Sequence, residues 1–143
     1  MNTLKMVIAL IAVLAMSVHF WREHNDARTV QANTDTHGFI AVPMPPGVAP
    51  GMVLIFAPEN CPKEGAQKAR SIAEQLTQRG VSNQLTSHYP GLVYEPSPEM
   101  DAAVKRLNIV MTGEIPVVLV NGRGKANPSL EEVVAELSLN AKN

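Results

Sequence analysis

The spacing of apolar residues changes from one stretch of the chain to the next, and each spacing predicts an element. Met52–Phe56 and Val117–Val120 are short unbroken apolar runs, typical of strands buried on both faces. After the first run, apolar residues recur every three or four positions and predict an amphipathic helix that stops at Gly80. The residues on that predicted apolar face are Ala66, Ala69, Ile72, Ala73 and Leu76. We interpret the polar face, which includes Lys63, Lys68 and Arg70, as ordinary solvated surface.

The second half of the chain carries turn and cap signals. Residues 81–91 alternate weakly and predict a strand, after which Ser97 and Pro98 can begin a helix that ends near Asn108. Asn121-Gly122 predicts a tight hairpin between the second apolar run and a short return strand at 123–125. Either Asn127 or Ser129 then caps a last helix. The predicted order from residue 52 onward is β-α-β-α-β-β-α.

The N-terminal segment, residues 1–21, is an export or anchoring segment. Lys5 precedes an uncharged apolar run over residues 6–18, which suits a signal peptide because a full membrane span needs about 20 residues. Small residues permit cleavage after Ser17, whereas Trp21 could instead sit at the membrane interface of an uncleaved signal anchor. In both cases Lys5, on the short N-terminal side of the apolar run, places the rest of the chain outside the cytoplasm. The folded domain would then be anchored to the membrane or, after cleavage, secreted.

Residues 22–51 combine polar side chains with four prolines and three glycines in their second half. This composition predicts a spacer without a helix. We interpret residues 39–42 as a loosely packed patch of this spacer rather than as an edge strand. The predicted domains are therefore 1–21, the spacer 22–51 and a folded domain at 52–143.

Composition narrows the function classes. The 143 residues include 12 Lys and Arg against 13 Asp and Glu, with a net charge of −1 and a pI of about 6.4, so no basic stripe suggests nucleic-acid binding. The single cysteine, Cys61, excludes an internal disulfide and a multi-cysteine zinc site, and no metal-ligand spacing is apparent elsewhere. We expect no metal and no resident cofactor.

Cys61 is the candidate for chemistry. It follows the first apolar run just where the first amphipathic helix is predicted to begin, and unpaired N–H groups at a helix N-terminus favour the thiolate, the nucleophilic form of cysteine. A Cys61–His88 pair is a further option, although a surface histidine is the simpler interpretation of His88. An odd cysteine in an oxidising compartment also allows a disulfide-linked homodimer.

Two motifs in this order resemble the thioredoxin and glutaredoxin group over residues 52–137. Phe56-Ala57-Pro58-Glu59-Asn60-Cys61-Pro62 is similar to the strand end and Cys-Pro of a glutaredoxin active site, and Ile115-Pro116-Val117-Val118-Leu119-Val120-Asn121-Gly122 is similar to the segment that carries that family's cis-proline. The resemblance implies a thioredoxin-like three-layer α/β sandwich, in which a mixed sheet of about four strands is flanked by helices. It also implies that Pro116 is cis and that Pro62, Ile115 and Pro116 line a groove beside Cys61 for an extended peptide or glutathione.

The sequence departs from that family in ways that limit the chemistry. Glu64 stands where the family has its second cysteine, so a dithiol mechanism cannot run within one chain. The basic residue that commonly precedes the glutaredoxin cysteine is replaced by Pro58, and residues 122–129 do not match the family's glutathione-binding Gly-Gly-x-x-Asp. Only monothiol exchange remains, with glutathione as a possible co-substrate rather than a cofactor.

Two functions follow from the resemblance and its departures. The first is monothiol thiol-disulfide exchange on protein or peptide thiols, with Cys61 as the catalytic nucleophile. The second is a non-catalytic binding or assembly module that takes an extended peptide in the groove beside Cys61 and Pro116. Under both hypotheses, residues 1–21 would attach the protein to a membrane or direct its export.

Overall fold

The computed structural model describes the backbone of residues 2–140 and their side chains except those of residues 2–4, 26 and 140. The chain divides between Asn33 and Thr34 into two compact units. The first is helix α1 (Asn2–Ala32). The second contains, in chain order, β1 (Ile40–Ala41), β2 (Val53–Phe56), α2 (Glu64–Gln78), β3 (Asn83–Thr86), α3 (Pro98–Met111), β4 (Val117–Val120), β5 (Arg123–Ala126) and α4 (Leu130–Asn140).

Helix α1 is long and apolar enough over Lys5–Ala32 to cross a membrane, with a mean hydropathy of 1.6. Its apolar side chains, such as Leu10, Val13 and Phe20, are exposed. A signal sequence meets the same criteria of length and composition. The helix is therefore apolar enough either to span a membrane or to serve as a signal sequence.

The five strands form one mixed sheet in the order β1-β5-β4-β2-β3. Strands β2 and β3 are parallel, and the remaining three pairs are antiparallel. The β4–β5 turn uses Asn121 and Gly122, both with positive φ (49° and 77°), which confirms the hairpin predicted from this dipeptide.

Helices cover both faces of the sheet, because side chains alternate along its buried strands. On one face Val53 and Ile55 of β2 pack with residues of α2 and α4. On the other face Leu54 and Phe56 pack with Leu107 and Val110 of α3. The fold is a mixed α/β arrangement of three layers, with one more strand than the four expected.

The extra strand corrects the prediction for residues 22–51. Helix α1 continues to Ala32, because the first glycine or proline after Trp21 is Gly38. Phe39 is fully buried, β1 pairs with β5, and Arg106 Nε donates to the Ala41 carbonyl oxygen at 2.7 Å. The interpretation of 39–42 as a loosely packed spacer patch is wrong, and the compact unit begins well before Met52.

The predicted caps of α3 and α4 are present, but α3 ends later than predicted. Ser97 caps α3 by accepting a hydrogen bond from the Met100 N–H, yet α3 extends past Asn108 to Met111, since Val110 is buried in the core. Ser129, rather than Asn127, caps α4. Its hydroxyl accepts from the Glu132 N–H at 3.2 Å, and Glu132 Oε2 accepts from the Ser129 N–H at 2.8 Å, which is a capping box.

Candidate functional site

The Cys61 turn and the Ile115–Pro116 segment emerge at the same end of the sheet. Strand β2 runs antiparallel to β4, and Phe56 at the end of β2 lies opposite Val117 at the start of β4. The chain leaving β2 therefore passes the chain entering β4. The sheet register alone places the two sequence motifs on neighbouring strand ends.

The Ile115-Pro116 peptide bond is cis, as the family resemblance implies. The Pro116 side chain is fully buried, and its carbonyl oxygen accepts a hydrogen bond from the Asn127 N–H at 2.7 Å. Asn127 adopts a positive φ of 50°, a conformation that asparagine tolerates better than most residues. This bond ties the segment before β4 to the chain leaving β5.

Gly65, in the first turn of α2, lies directly against Ile115. A Cβ atom placed on Gly65 would lie 2.6 Å from Ile115 Cγ1 and 2.7 Å from the Ile115 carbonyl oxygen. No side chain fits in that space, which gives Gly65 a packing reason to be glycine. The family resemblance implies that the N–H and C=O of Ile115 pair with a bound extended peptide, but the Ile115 carbonyl oxygen lies against the first turn of α2.

A surface cavity of about 670 Å³ opens beside this contact. We call it the Ile115 cavity. Its walls come from the first turns of α2, from the segment before β4 and from the end of β5, and they carry Lys63, Glu64, Gly65, Lys68, Glu114, Ile115 and Asn127. It combines one large apolar side chain with charges of both signs.

One wall of the Ile115 cavity is a connected set of polar side chains. Lys68 Nζ donates to the Asn127 carbonyl oxygen at 3.2 Å and also to Asn127 Oδ1. Asn127 Nδ2 in turn donates to Glu114 Oε2 at 2.9 Å. Lys68 and Glu114 are thereby bridged through one amide, which fixes the outline of the cavity without burying either charge.

Cys61 is partly exposed and lies in the turn before α2. Lys63 is the N-cap and Glu64 the first helical residue, so Cys61 lies before the first turn of α2 rather than within it. The macrodipole effect is strongest in that first turn. Cys61 therefore lies outside the turn in which that effect is strongest.

Arg70 holds the Cys61 turn. Its Nη1 donates to the Glu59 carbonyl oxygen at 3.1 Å and its Nη2 to the Cys61 carbonyl oxygen at 3.2 Å. Gln67 Nε2 adds a bond of 2.7 Å to the carbonyl oxygen of Pro62. The interpretation of Arg70 as ordinary solvated surface is wrong, because helix periodicity does not reveal a side chain that folds back over the N-terminus of its own helix.

The structure brings only some of the predicted site residues together. Ile115 lines the cavity beside α2, whereas Cys61, Pro62 and Pro116 are all described and none of them lines it. His88 Nδ1 lies 2.8 Å from Ser87 Oγ. Across the described residues, no group of three His, Cys, Asp or Glu side chains could hold a metal ion.

A cluster of charged residues that the sequence analysis missed lies at the β1 edge of the sheet. Arg123 on β5 reaches Asp35 Oδ2 at 3.5 Å and Glu136 Oε1 at 3.6 Å, and Glu136 is only 1% exposed. Two positions along β5, Lys125 Nζ lies 2.7 Å from Glu132 Oε1. The sequence did contain signals for this cluster. Arg123 and Lys125 are two residues apart on a strand, and Glu132 and Glu136 are four residues apart on a helix, so each pair lies on one face of its element.

Hydrogen bonds around this cluster lower the pKa of two carboxyl groups. Burial opposes ionisation of Asp35, but hydrogen bonds from Glu136 and from the N–H groups of Phe39 and His37, together with the charge of Arg123, hold the Asp35 pKa below its ordinary value. The pKa of Glu132 is lowered chiefly by its hydrogen bond from Lys125. Both carboxylates are thus stabilised in their charged forms.

No family model, curated protein or solved structure matches this chain. The cavity supports binding, while the partly exposed thiol on a tethered turn supports exchange chemistry.

Proposed function

We propose that this protein is an exported or membrane-anchored thioredoxin-like protein that binds an extended segment of a partner protein in the Ile115 cavity. The element order β2-α2-β3-α3-β4-β5-α4, the helices on both faces and the cis-proline just before β4 support the thioredoxin-like assignment. Strand β1 is an addition at the β5 edge. The apolar helix α1 supports export or anchoring, with the domain outside the cytoplasm.

The Ile115 cavity is the observation that carries the binding function. It has the volume of a typical ligand pocket, a partly buried apolar side chain and fixed polar groups on one wall. Lys63 and Glu64 place charges of opposite sign on the α2 side, and both are exposed. A partner segment would therefore place an apolar side chain against Ile115 and polar groups toward the helix.

Selection from an immobilised library of random peptides tests this binding. Wild-type protein and the Ile115→Glu variant are compared, because a carboxylate at 115 would remove the apolar surface of the cavity. Ile109→Glu is the matched control, since Ile109 is an exposed isoleucine on α3. We expect wild type and Ile109→Glu to retain a common set of peptides and Ile115→Glu to lose it. Thermal unfolding first establishes that Ile115→Glu is folded. If the folded variant then retains the same peptides, the Ile115 cavity is not the binding site.

Monothiol exchange through Cys61 is the second candidate, supported by the partial exposure of the thiol and the tethering of its turn by Arg70. The Cys61 thiolate would attack the glutathione sulfur of a glutathionylated substrate, which expels the substrate as a free thiolate and leaves glutathione in a disulfide with Cys61. A second glutathione thiolate would then attack the sulfur of the bound glutathione, which forms glutathione disulfide and restores the Cys61 thiolate. Glu64 cannot perform that second displacement, so the external thiol is required.

Two measurements separate exchange from binding. The rate of Cys61 alkylation is followed against pH beside an unfolded cysteine peptide, whose thiol titrates near about 8.5, and reduction of a glutathionylated peptide is compared with Cys61→Ser. Exchange predicts alkylation at lower pH than in the peptide and turnover above the Cys61→Ser background. A separate experiment, non-reducing electrophoresis of protein taken from its native compartment, tests the disulfide-linked homodimer.

Localisation is tested on the full chain expressed with its own N-terminus. Retention in the membrane fraction with an intact N-terminus would establish a signal anchor, whereas a mature N-terminus at Val18 would establish cleavage after Ser17. Recovery in the cytoplasm would contradict export altogether.

A further inference from the structure

A long exposed loop joins β3 to α3. Residues 89–97, which we call the Val93 loop, form neither helix nor strand, and Pro90 and Pro96 favour extended backbone in the residues before them. Residues 90–96 are exposed apart from the half-buried Leu92. The peptide groups of Val93 and Glu95 form no hydrogen bond with any described residue. The loop is therefore an extended segment whose backbone is free to pair with another chain.

Two side chains of the Val93 loop point away from the domain. Val93 is 63% exposed, the most of any large apolar side chain described in residues 34–139. Tyr94, by contrast, is tied to its own chain, because its hydroxyl donates to Asp101 in the first turn of α3. Since side chains alternate along an extended chain, Val93 and Glu95 lie on the side opposite Tyr94. That side presents an apolar residue and a carboxylate two positions apart.

The Ile115 cavity presents the complementary groups. Ile115 supplies its apolar surface, and the polar wall of the cavity is already bonded within itself. Lys63 and Glu64 also line the cavity, and neither forms a hydrogen bond or an ion pair with any described residue. Lys63 is thus free to pair with a carboxylate from outside, whereas Glu64 would repel one. An apolar residue with a carboxylate nearby fits the cavity with its carboxylate on the Lys63 side.

The Val93 loop cannot reach the cavity of its own chain. Val93 is four residues before Ser97, the cap of α3, and four extended residues span at most about 14 Å. Helix α3 has 14 residues and is therefore about 21 Å long. The cavity lies past the far end of α3, because Glu114, which lines it, follows Met111 by three residues. Any Val93 loop that enters the cavity must come from another molecule.

We propose that the Ile115 cavity binds the Val93 loop of a second copy of this chain, with Val93 against Ile115 and Glu95 beside Lys63. This names the partner for the peptide binding proposed above and rests on that function. The contact joins two different surfaces, so it leaves a free loop on one copy and a free cavity on the other. Further copies can therefore add at both ends.

Mixing two variants of the full chain in detergent tests this contact. Val93→Glu disables the loop and leaves the cavity intact, whereas Ile115→Glu disables the cavity and leaves the loop intact. The size of each species is measured by sedimentation velocity at about 10–500 µM, a range that suits a small contact. Leu139→Glu is the control, since Leu139 is an exposed leucine on α4. The double variant Val93→Glu/Ile115→Glu has the same α1 but neither surface, so it defines the background association.

We expect wild type and Leu139→Glu to form dimers and larger species above that background, and each site variant alone to show none. The two site variants mixed should form dimers with one copy of each and nothing larger, because one intact loop meets one intact cavity. Wild type at the background level, self-association retained by either site variant, or a mixture without dimers would overturn the proposal. Val93 is exposed, so Val93→Glu should fold, and Ile115→Ser replaces Ile115→Glu if the latter does not.

Exchange of charges in the same mixture tests the contact between Glu95 and Lys63. Glu95→Lys, added to the copy with the intact loop, places two ammonium groups together and should raise the Kd of the mixed dimer by at least about threefold, as expected for an exposed ion pair. Lys63→Glu, added to the copy with the intact cavity, should restore the affinity. If Glu95→Lys has no effect, or if Lys63→Glu does not restore binding, the proposed placement of Glu95 is wrong.

Peptide selection with Val93→Glu separates this proposal from the binding function itself. The cavity of that variant is not occupied by the loop of another copy, so it should retain the library peptides at least as well as wild type does. If it retains them while wild type does not self-associate, the cavity binds a different protein and the second-copy proposal fails alone. If Ile115→Glu retains them, peptide binding in the cavity fails as well.

Discussion

Replacement of Gly65 by alanine tests the close approach of α2 to the Ile115 segment. The added methyl group would lie 2.6 Å from Ile115 Cγ1 and 2.7 Å from the Ile115 carbonyl oxygen, where ordinary contacts begin at 3.4 Å. The side-chain atom can move by rotation, but the carbonyl oxygen belongs to the backbone. That backbone is held by the Asn127–Pro116 bond of 2.7 Å and by the pairing of Phe56 with Val117. Helix α2 would therefore have to shift.

Two opposing effects set the size of the change in unfolding free energy. Alanine is favoured over glycine within helices by up to about 1 kcal/mol, and by less in a first turn. Overpacking a rigid contact costs about 1–3 kcal/mol. We therefore expect Gly65→Ala to lower the free energy of unfolding by about 1–2 kcal/mol, which corresponds to a drop in Tm of about 4 °C or more.

Urea unfolding followed by circular dichroism measures this change, and a double-mutant cycle with Ile115→Ala identifies its cause. Ile115→Ala removes the Cγ1 contact and leaves the carbonyl contact, so the double variant should recover part of the lost stability. A Gly65→Ala protein at least as stable as wild type would refute the close approach. Strictly additive effects of the two substitutions would show that the added methyl group does not meet the Ile115 side chain.

Three further substitutions test other parts of the structure. Phe39→Ala should cost about 3–5 kcal/mol in urea unfolding because Phe39 is fully buried, whereas a spacer residue would cost almost nothing. Ser129→Ala should cost about 1 kcal/mol by removing the cap of α4, while the exposed Ser138→Ala should change little. Glu132 has a lowered pKa, so its stabilising contribution is present above 4.5 and is lost as pH falls through its folded value. Lys125→Met should remove part of that acid loss, and an unchanged profile of stability against pH would contradict the Lys125–Glu132 pair.

Local signals predicted much of the sheet and its helices. The apolar runs became β2 and β4, Asn121-Gly122 became a hairpin turn, and Ser97 became a cap. Each of these depends on residues close together in sequence, such as a turn that needs positive φ or a hydroxyl that reaches an N–H three residues on. The predicted order of elements after residue 52 is accordingly the observed one.

Contacts between distant residues were not predictable in the same way. Val42 is buried beside Gly124 on β5, where a Cβ on Gly124 would lie 3.2 Å from Val42 Cγ2. At the candidate site, the sequence pointed to Ile115 and Cys61, but the contact of Gly65 with Ile115 is set by how α2 packs. The Arg70 bonds and the ion pairs of Arg123 with Asp35 and Glu136 likewise join residues that no local pattern connects.

Strand β1 also bears on self-association. Its pairing with β5 covers what would be a longer edge strand of the sheet and replaces it with the two residues Ile40 and Ala41. Pro43 follows shortly after them, and a proline lacks the N–H that a neighbouring strand would need. A second chain would find too few free backbone groups there to extend the sheet. Residues 34–42 thus protect this edge of the sheet from edge-to-edge aggregation, and conditions that detach them should lower the solubility of the domain.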